Sequence, residues 1–366
     1  MKTKILKFVK YLVAFSLICF LFSCGISKKD AIGEENEIYV VADSIEYSLF
    51  EENLQTVFEK IIYTPQPEPL FKLIRVNFLN LESIKNKKNV IIISALSSQN
   101  KVSNYIENSL DTTVKSLVLT NTEYVFNKYD LWANNQLVLF LTSTTIEQLN
   151  SNILDNKNDL LYFFQNISNK RMYQNIYNST YERTEVEAQL LKEFGWIIYV
   201  QADFVRVNNK LGDNFVWLRR SPDTEMERWI FVYWIDDASP NMLNPDSIIT
   251  LRNQITEKHY RTKDDQTFVE VAEDYRTFSE VNFNERYAIM TQGLWRMQDK
   301  SMGGPFVNYI FYDENSKRIY MLDGSIFAPN YSKRSLIQQV DVTLQSFRTE
   351  AELDPEWKED LLDELD

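Results

Sequence analysis

The run from Trp229 to Ile235 restricts the folds open to this chain, because it is apolar at all seven positions. Successive side chains of a strand point to opposite faces, so both faces of this run would be apolar. One face would carry Trp229, Phe231 and Tyr233, and the other Ile230, Val232 and Trp234. Two apolar faces both need cover. We therefore expect a central strand in a sheet that is covered on each side.

The 366 residues are enough for two packed domains. In residues 37–165 strand-like and helical segments interleave, which predicts an α/β arrangement. In residues 196–349 strand-like runs follow one another, which predicts an antiparallel sheet covered by helices. Those helices are expected at Asn244–His259, with Asn244 as N-cap, and at Ser332–Phe347. The predicted fold class is α+β, with two α/β-type sandwich domains.

Other segments complete the predicted domain organisation. Residues 166–195 are expected to form a helical connector that ends at Gly195, and residues 350–366 an acidic, frayed tail. Residues 1–23 are expected to be a signal peptide and residues 24–36 a flexible tether. The strand-like runs of the second domain are Trp196–Val200, Asp203–Val207, Phe215–Arg220, Trp229–Ile235, Tyr287–Met297, Phe306–Tyr312 and Arg318–Phe327.

The amino terminus predicts export. Four lysines precede an apolar run from Tyr11 to Phe22, whose ~18 Å as a helix is too short to span ~30 Å of hydrocarbon. The run is typical of a signal peptide. It ends in Leu21-Phe22-Ser23-Cys24, which resembles a bacterial lipobox. That resemblance implies cleavage before Cys24 and its modification by diacylglycerol and a further acyl chain such as palmitate. The alternative is an ordinary secretory signal with two incidental cysteines.

Charge and scarce residue types narrow the function further. The net charge is −13, and loss of residues 1–23 would bring it to −17, from 35 basic and 52 acidic residues. A body this acidic is repelled by nucleic acid and anionic headgroups, so acyl chains would have to hold it to the membrane. The only cysteines are Cys19 and Cys24, and the only histidine is His259. This excludes Cys/His zinc sites and cysteine catalysis in the mature chain, and we expect no metal or cofactor.

Several segments, taken in order, resemble a lipoprotein family of unknown function from Bacteroidota-type bacteria. The resemblance covers nearly the whole mature chain and implies a lipid-anchored protein of the cell envelope, in the outer membrane, with no established activity. Gln292 stands where the family pattern leads us to expect arginine. The segments are Pro65–Pro69 followed by Phe71, Asn214–Arg220, Gly293–Trp295, Met302–Phe306, Phe327–Pro329 and Lys333-Arg334.

Candidate binding residues concentrate in the second domain, where four of the eight glycines lie between Gly293 and Gly324. Gly303-Gly304-Pro305 could form a turn whose NH groups hold an anion, or a plain hairpin turn. The tryptophans and arginines could form a surface for sugar stacking, or the tryptophans could be core. The candidates are Trp217, Arg219, Trp295, Arg296, Met302, Gly303, Gly304, Pro305 and Phe306.

Catalytic constellations are weak by comparison. Asp203, Asp236-Asp237 and the region Glu280–Glu285 could supply a carboxylate pair for glycoside hydrolysis, but 52 acids make chance pairs common. His259 is expected at a helix end, capping or exposed. The leading hypothesis is a non-enzymatic, lipid-anchored envelope protein that binds a partner protein or envelope polymer. A glycan- or small-ligand-binding lipoprotein and a carboxylate-dependent hydrolase are the alternatives.

Overall fold

A computed structural model describes residues 28–62, 64–207, 212–220, 226–262 and 264–365. Within these ranges the chain forms two compact units, the first from residues 28–57 and 72–160 and the second from residues 58–71 and 161–365. The predicted signal peptide and Cys24 lie outside the described residues.

Strands and helices are numbered along the described chain. The strands are β1 (Glu37–Val41), β2 (Ile61–Ile62), β3 (Glu68–Pro69), β4 (Lys72–Val76), β5 (Asn89–Ile93), β6 (Val125–Tyr129), β7 (Leu137–Leu141), β8 (Trp196–Ile197), β9 (Val205–Val207), β10 (Phe215–Arg220), β11 (Glu227–Ile235), β12 (Val269–Phe283), β13 (Arg286–Met297), β14 (Gly303–Asp313), β15 (Arg318–Phe327) and β16 (Arg348–Thr349). The helices are α1 (Ser44–Phe58), α2 (Leu81–Ile84), α3 (Lys101–Ser109), α4 (Thr112–Leu119), α5 (Ile146–Asp155), α6 (Lys157–Ile176), α7 (Thr184–Phe194), α8 (Pro245–His259), α9 (Arg334–Leu344) and α10 (Pro355–Asp363).

The first unit is built on a five-stranded sheet with the order β4-β1-β5-β7-β6. The first four of these strands are parallel, and β6 joins β7 antiparallel at one edge. Every residue of β5 and β7 is buried, because the inner strands of a parallel sheet are covered on both faces. Helices α2 and α3 pack around Val90 and Ile92 on one face. The predicted α/β arrangement of this half is confirmed.

Residues 28–36 belong to the folded first unit and are not a flexible tether. They run along the end of the sheet where the parallel strands begin, which we call the amino edge. The Ala31 N–H donates to the carbonyl of Asn134 at 2.9 Å, and the Ile32 N–H donates to the carbonyl of Asn86 at 2.7 Å. The Ala31 side chain is buried there. Backbone pairing, which a composition of small and charged residues does not reveal, fixes this segment.

The second unit contains a seven-stranded antiparallel sheet with the order β12-β13-β14-β15-β11-β10-β9. β11 lies inside it, between β15 and β10. Ile230, Val232 and Trp234 join a cluster with residues of α7 and α9, whereas Trp229 and Phe231 join a cluster with residues of α8. The prediction that this strand is covered on both sides is confirmed, and so is the α+β fold class.

The edge strand β12 is absent from the sequence-based prediction. Residues 273–280 of this strand are all exposed, so they carry no alternation of apolar and polar side chains. A bulge between Val271 and Arg276 interrupts its pairing with β13. By contrast, only Trp196–Ile197 of the predicted strand Trp196–Val200 is paired, as β8 with β16.

Three segments join the second unit in ways that the predicted domain boundaries did not anticipate. Residues 58–71 belong to it although they precede β4 of the first unit, and α7, from the predicted connector, belongs to it as well. Gly195 ends α7 with a φ of 77°, as expected of a terminating glycine. The predicted frayed tail is folded, because Leu353 and Leu361 are buried with Leu191 of α7.

Candidate functional site

A cavity of about 240 Å³ opens in the second unit beside the start of β14. Its walls come from residues 60–71, α6, β12, β13, β14 and α9. Two of the predicted binding residues, Pro305 and Phe306, line it, and so do Gly293, the first residue of the Gly-Leu-Trp motif, and Gln292 directly before it. The cavity is therefore the place where the sequence motifs and a concave surface coincide.

The polar part of the lining consists largely of uncharged amides and hydroxyls, each of which can both donate and accept a hydrogen bond. Gln338 lies on α9, and its amide nitrogen donates to Ser168 Oγ at 2.9 Å and to Asn169 Oδ1 at 2.8 Å. These bonds orient the Gln338 amide within the wall. The uncharged polar lining residues are Thr64, Gln165, Asn169, Thr277, Ser279, Gln292 and Gln338.

The apolar part of the lining includes Phe71 and Phe306, which are both fully buried. Gly293 lies beside Phe306, and a Cβ atom at this glycine would be 2.6 Å from the carbonyl oxygen of Tyr275 and 2.9 Å from Phe306 Cε1. Close approach of the β12 backbone therefore requires a glycine at this position.

A buried guanidinium forms one side of the cavity. Arg334, at the start of α9, is 5% exposed. Its Nε donates to the carbonyl of Leu70 at 2.5 Å, its Nη1 donates to Gln338 Oε1 at 3.3 Å, and its guanidinium carbon lies 5.4 Å from the centre of the Phe71 ring. These contacts fix the cation in one orientation and connect residues 60–71 to α9.

The proline-rich segment places a carboxylate at the beginning of α9. Glu68 Oε1 accepts a hydrogen bond from the backbone N–H of Lys333 at 2.8 Å, and Glu68 Oε2 accepts from the N–H of Arg334 at 3.2 Å and from Ser332 Oγ at 2.5 Å. A carboxylate satisfies the unpaired N–H groups of a helix start and is favoured there by the helix dipole. Two of the motifs, Pro65–Pro69 and Lys333-Arg334, thus serve one structural contact.

Asp341 supplies the carboxyl group of the cavity lining. Burial raises the pKa of this carboxyl, and the Tyr309 hydroxyl, which donates to Asp341 Oδ1 at 2.6 Å, opposes that rise. Burial also raises the pKa of Tyr309. The cavity wall thus contains the Asp341 carboxyl, held by its hydrogen bond with Tyr309, about one turn of α9 after Gln338.

The predicted hairpin between β13 and β14 is present, but its turn does not lie at Gly303-Gly304-Pro305. Gly303 and Gly304 are the first residues of β14 and pair with β13, while the chain reverses at residues 298–302. A Cβ at Gly304 would lie 1.9 Å from the carbonyl oxygen of Ile326, so glycine is needed for close packing and not for a turn. With these NH groups at the start of a strand, the anion-cradle interpretation loses its basis.

Other predicted binding residues lie in the core or in ion pairs. Trp295 is 1% exposed, and its Nε1 donates to the carbonyl of Ile326 at 3.1 Å. Arg296 Nε donates to Glu270 Oε1 at 2.8 Å, and Met302 is half-buried. Trp295 therefore has a packing role, since a stacking platform for a sugar needs an exposed ring.

Trp217 and Arg219 do not line the cavity. The Trp217 ring lies 4.6 Å from that of Tyr260, and the Arg219 guanidinium lies 5.8 Å from the Trp217 ring. Arg219 also forms an ion pair with Glu227 at 2.9 Å. The structure therefore separates these two candidates from Pro305 and Phe306.

The residues considered for catalysis have structural partners. Asp236 accepts from Arg318 Nε at 2.6 Å, and Asp203 forms an ion pair with Arg220. His259 lies at the end of α8 with its ring 3.9 Å from that of Phe215, and burial lowers its pKa. Across the described parts of the chain, no group of three or more histidine, cysteine or acidic side chains could hold a metal ion.

A wider, open cleft of about 700 Å³ lies elsewhere in the second unit. Charged side chains dominate its rim, and they pair with one another: Arg206 Nη2 lies 2.6 Å from Glu193 Oε2, and Arg318 lies on Asp236. Because these charged groups already bind each other, fewer of them are available to bind a ligand than in the smaller cavity.

Sequence reasoning missed the α9 wall of the cavity, although a pattern was present. Arg334, Gln338 and Asp341 are spaced by four and three residues, so they lie on one face of the helix. This polar face lies beside Leu336 and Val340, which are core, but the polar face of an amphipathic helix usually meets solvent, so the pattern alone does not indicate a cavity. The contributions of Gln165 and Asn169 come from a helix without a clear stripe, and no local pattern identifies them.

Comparison with known families matches both halves of the chain. Residues 31–177 match the model for Domain of unknown function (DUF8532), and residues 182–346 match the model for Domain of unknown function (DUF4837). No curated protein sequence matches. In the described part of the chain, no helix has the length and apolar character needed to span a bilayer.

Solved structures give only distant similarities. The Ran-binding protein Mog1p of Saccharomyces cerevisiae aligns with 9% identity over 43% of this chain and 90% of its own, with a TM-score of 0.29. A protein from Bacteroides thetaiotaomicron aligns with 8% identity over 44% of this chain and 48% of its own, with a TM-score of 0.25. The human StarD13 lipid transfer and protein localization domain aligns with 12% identity over 40% and 89%, with a TM-score of 0.20. Both halves of the chain are thus similar to domain families of unknown function.

Proposed function

We propose that this chain is a lipid-anchored binding protein of the bacterial cell envelope, and that its second unit holds one small, uncharged polar ligand such as a sugar ring. The observation that carries the proposal is the cavity whose lining combines uncharged amides and hydroxyls with apolar residues such as Ile61 and Leu70. Ligand sites commonly combine apolar walls with a few polar groups in this way.

The size of the cavity limits the ligand. Its volume of about 240 Å³ lies below the ~300–1,000 Å³ of sites for drug-sized ligands. One sugar ring or a compound of similar size fits such a space, whereas a polymer could enter only with its end. Amides and hydroxyls match sugar hydroxyls because both partners donate and accept. The proposed ligand is therefore the small ligand of the sequence-based alternative. Its proposed site is the cavity and not a surface of tryptophans and arginines.

The anchor is supported by the sequence. The apolar run and the Leu-Phe-Ser-Cys ending fit a lipoprotein signal, and the resemblance to Bacteroidota-type lipoproteins supports the outer membrane. Because the mature chain is acidic, its charge does not attract it to anionic headgroups, and acyl chains on Cys24 would have to hold it to the membrane.

Ligand binding is tested by calorimetry with a panel of monosaccharides and, for comparison, free amino acids. Ser279 lines the cavity, so Ser279→Trp should fill it and abolish binding of the monosaccharide that binds. Glu280→Trp, at the next position and therefore on the other face of β12, is the matched control and should bind normally. Loss of binding in both variants, or in neither, contradicts the assignment, as does a panel without any binding monosaccharide.

The anchor is tested by metabolic labelling with a palmitate analogue. The chain and its Cys19→Ser variant should both incorporate the label and fractionate with membranes. Cys24→Ser should do neither. Equal labelling of the two variants would contradict lipidation of Cys24.

A partner protein is the second candidate ligand, and the exposed edge of the sheet favours it. β12 is an edge strand of fifteen residues that carries the exposed rings of Tyr275 and Phe278. An exposed edge can pair with an extended segment of another chain. A photo-crosslinking residue at position 278 should then capture one partner in native membranes, whereas the same residue at the exposed position 154 should not.

A further inference from the structure

We infer that the amino edge of the first unit rests on the headgroup layer of the membrane. This rests on the proposed acylation of Cys24. The edge is formed by residues 28–36, the Lys85–Lys88 turn and the segment Tyr129–Asn134, all at the end of the sheet where the parallel strands begin.

Little free chain separates Cys24 from the amino edge. Lys28 is already held at the edge, where its Nζ donates to the carbonyl of Asp130 at 2.6 Å. The next residue is held as well, because its carbonyl accepts the N–H of Asn134 at 2.9 Å. Only residues 25–27 separate Cys24 from this docked chain, and four extended residues span at most ~14 Å. The edge therefore cannot lie farther than that from an acylated Cys24.

The amino edge also exposes apolar and aromatic side chains. Ile32 and Tyr129 are 53% and 49% exposed, although both are apolar or aromatic. Trp132, from the same edge, is half-buried, and Lys85 Nζ lies 5.6 Å from its ring. Aromatic rings with nearby lysines are typical of the membrane interface, where the ring is amphipathic and the lysine reaches the headgroups. The charges here are mixed, because exposed acids such as Glu34 are also present, so chain length and not net attraction sets the orientation.

The opposite edge of the same sheet provides the comparison. Ile45 follows the carboxyl end of β1 and is 78% exposed. A five-residue strand spans ~17 Å, so Ile45 lies about that far beyond the amino edge. Two exposed positions in one unit should therefore differ in their distance from the bilayer.

The experiment uses the absence of cysteine after Cys24, which lets a single introduced cysteine carry a nitroxide label. Tyr129→Cys and Ile45→Cys are purified as acylated full-length proteins and reconstituted in vesicles of phosphatidylethanolamine and phosphatidylglycerol. The label at position 129 should lose its broadening by a water-soluble nickel complex on reconstitution. The label at position 45 should keep it.

The outcomes separate the inference from the anchor. If the protein is acylated and sediments with vesicles but both labels stay accessible to nickel, the inference is overturned and the anchor stands. If the protein carries no acyl chain, both fail. A twelve-residue Gly/Ser insertion between Ser27 and Lys28 should restore nickel access at position 129, and unchanged shielding would overturn the role of the short tether.

Discussion

The buried ion pair between Arg252 and Asp323 gives the sharpest test of what holds the second unit together. Both side chains are fully buried, and Arg252 donates to Asp323 through Nε at 2.6 Å and through Nη2 at 3.1 Å. Asn308 Nδ2 also donates to Asp323 at 3.2 Å, and the Arg252 guanidinium lies 4.0 Å from the centre of the Phe306 ring. The pair joins α8 to β15 on the face of the sheet that α8 covers.

Asp323→Leu should lower the free energy of unfolding of the second unit by about 3–5 kcal/mol, because it leaves a buried guanidinium without its counter-charge. Domains are stable by only ~5–15 kcal/mol, so this loss would be a large fraction of the total. The double variant Arg252→Met/Asp323→Leu removes both charges and should recover most of the loss, since replacing a buried pair by apolar residues is often close to neutral.

The assay is urea denaturation followed by tryptophan fluorescence. Six of the seven tryptophans belong to the second unit, and Trp132→Phe in every variant makes the signal specific for that unit. A cost of less than ~1 kcal/mol for Asp323→Leu, the size of an exposed pair, or a double variant as unstable as the single one, would refute this role of the buried pair.

Three further outcomes are expected. Glu68→Ala should lower the free energy of unfolding of the second unit by ~0.5–2 kcal/mol, because α9 loses the carboxylate that caps its first N–H groups. A thermal unfolding midpoint equal to that of the unchanged chain would contradict this role. Burial raises the pKa of Glu187 to about 8, and its Oε1 accepts the Val200 N–H at 2.7 Å. Because this acid binds its proton more tightly in the folded state, stability should fall as pH rises from about 4.5 to about 8, and Glu187→Gln should remove that part of the pH dependence in urea titrations. Gly304→Ala should destabilise by at least ~1–3 kcal/mol, because its methyl group would meet the Ile326 carbonyl, and a neutral effect in calorimetry would contradict the close packing.

Elements with a buried face could be predicted from the sequence. β10 begins and ends where expected, and α8 begins at Pro245 directly after Asn244. The two apolar faces of β11 gave its place inside the sheet. Such elements can be predicted because their apolar residues recur with the period of a helix or a strand, and this spacing is visible in the sequence itself.

The parts that sequence reasoning missed depend on contacts between distant residues. β12 is held by backbone pairing with β13 and shows no burial pattern over its middle. Gly304 was assigned to a turn because glycine permits turns and close packing alike, and only the position of Ile326 decides between them. The cavity combines α6, β12 and α9 with a segment near residue 68, and a single sequence does not reveal such a combination.

The placement of residues 58–71 in the second unit affects how this protein is made. Glu68 contacts the backbone of Arg334 across 266 residues of sequence. At a synthesis rate of ~5–20 residues per second, the ribosome needs roughly 13–50 s to reach the partner of that carboxylate. During this interval Phe71 has no α9 to pack beside, although the residues of the first unit are already complete and can fold. A fragment that starts at residue 161 would lack this segment permanently, so the second unit has to be produced from the whole chain.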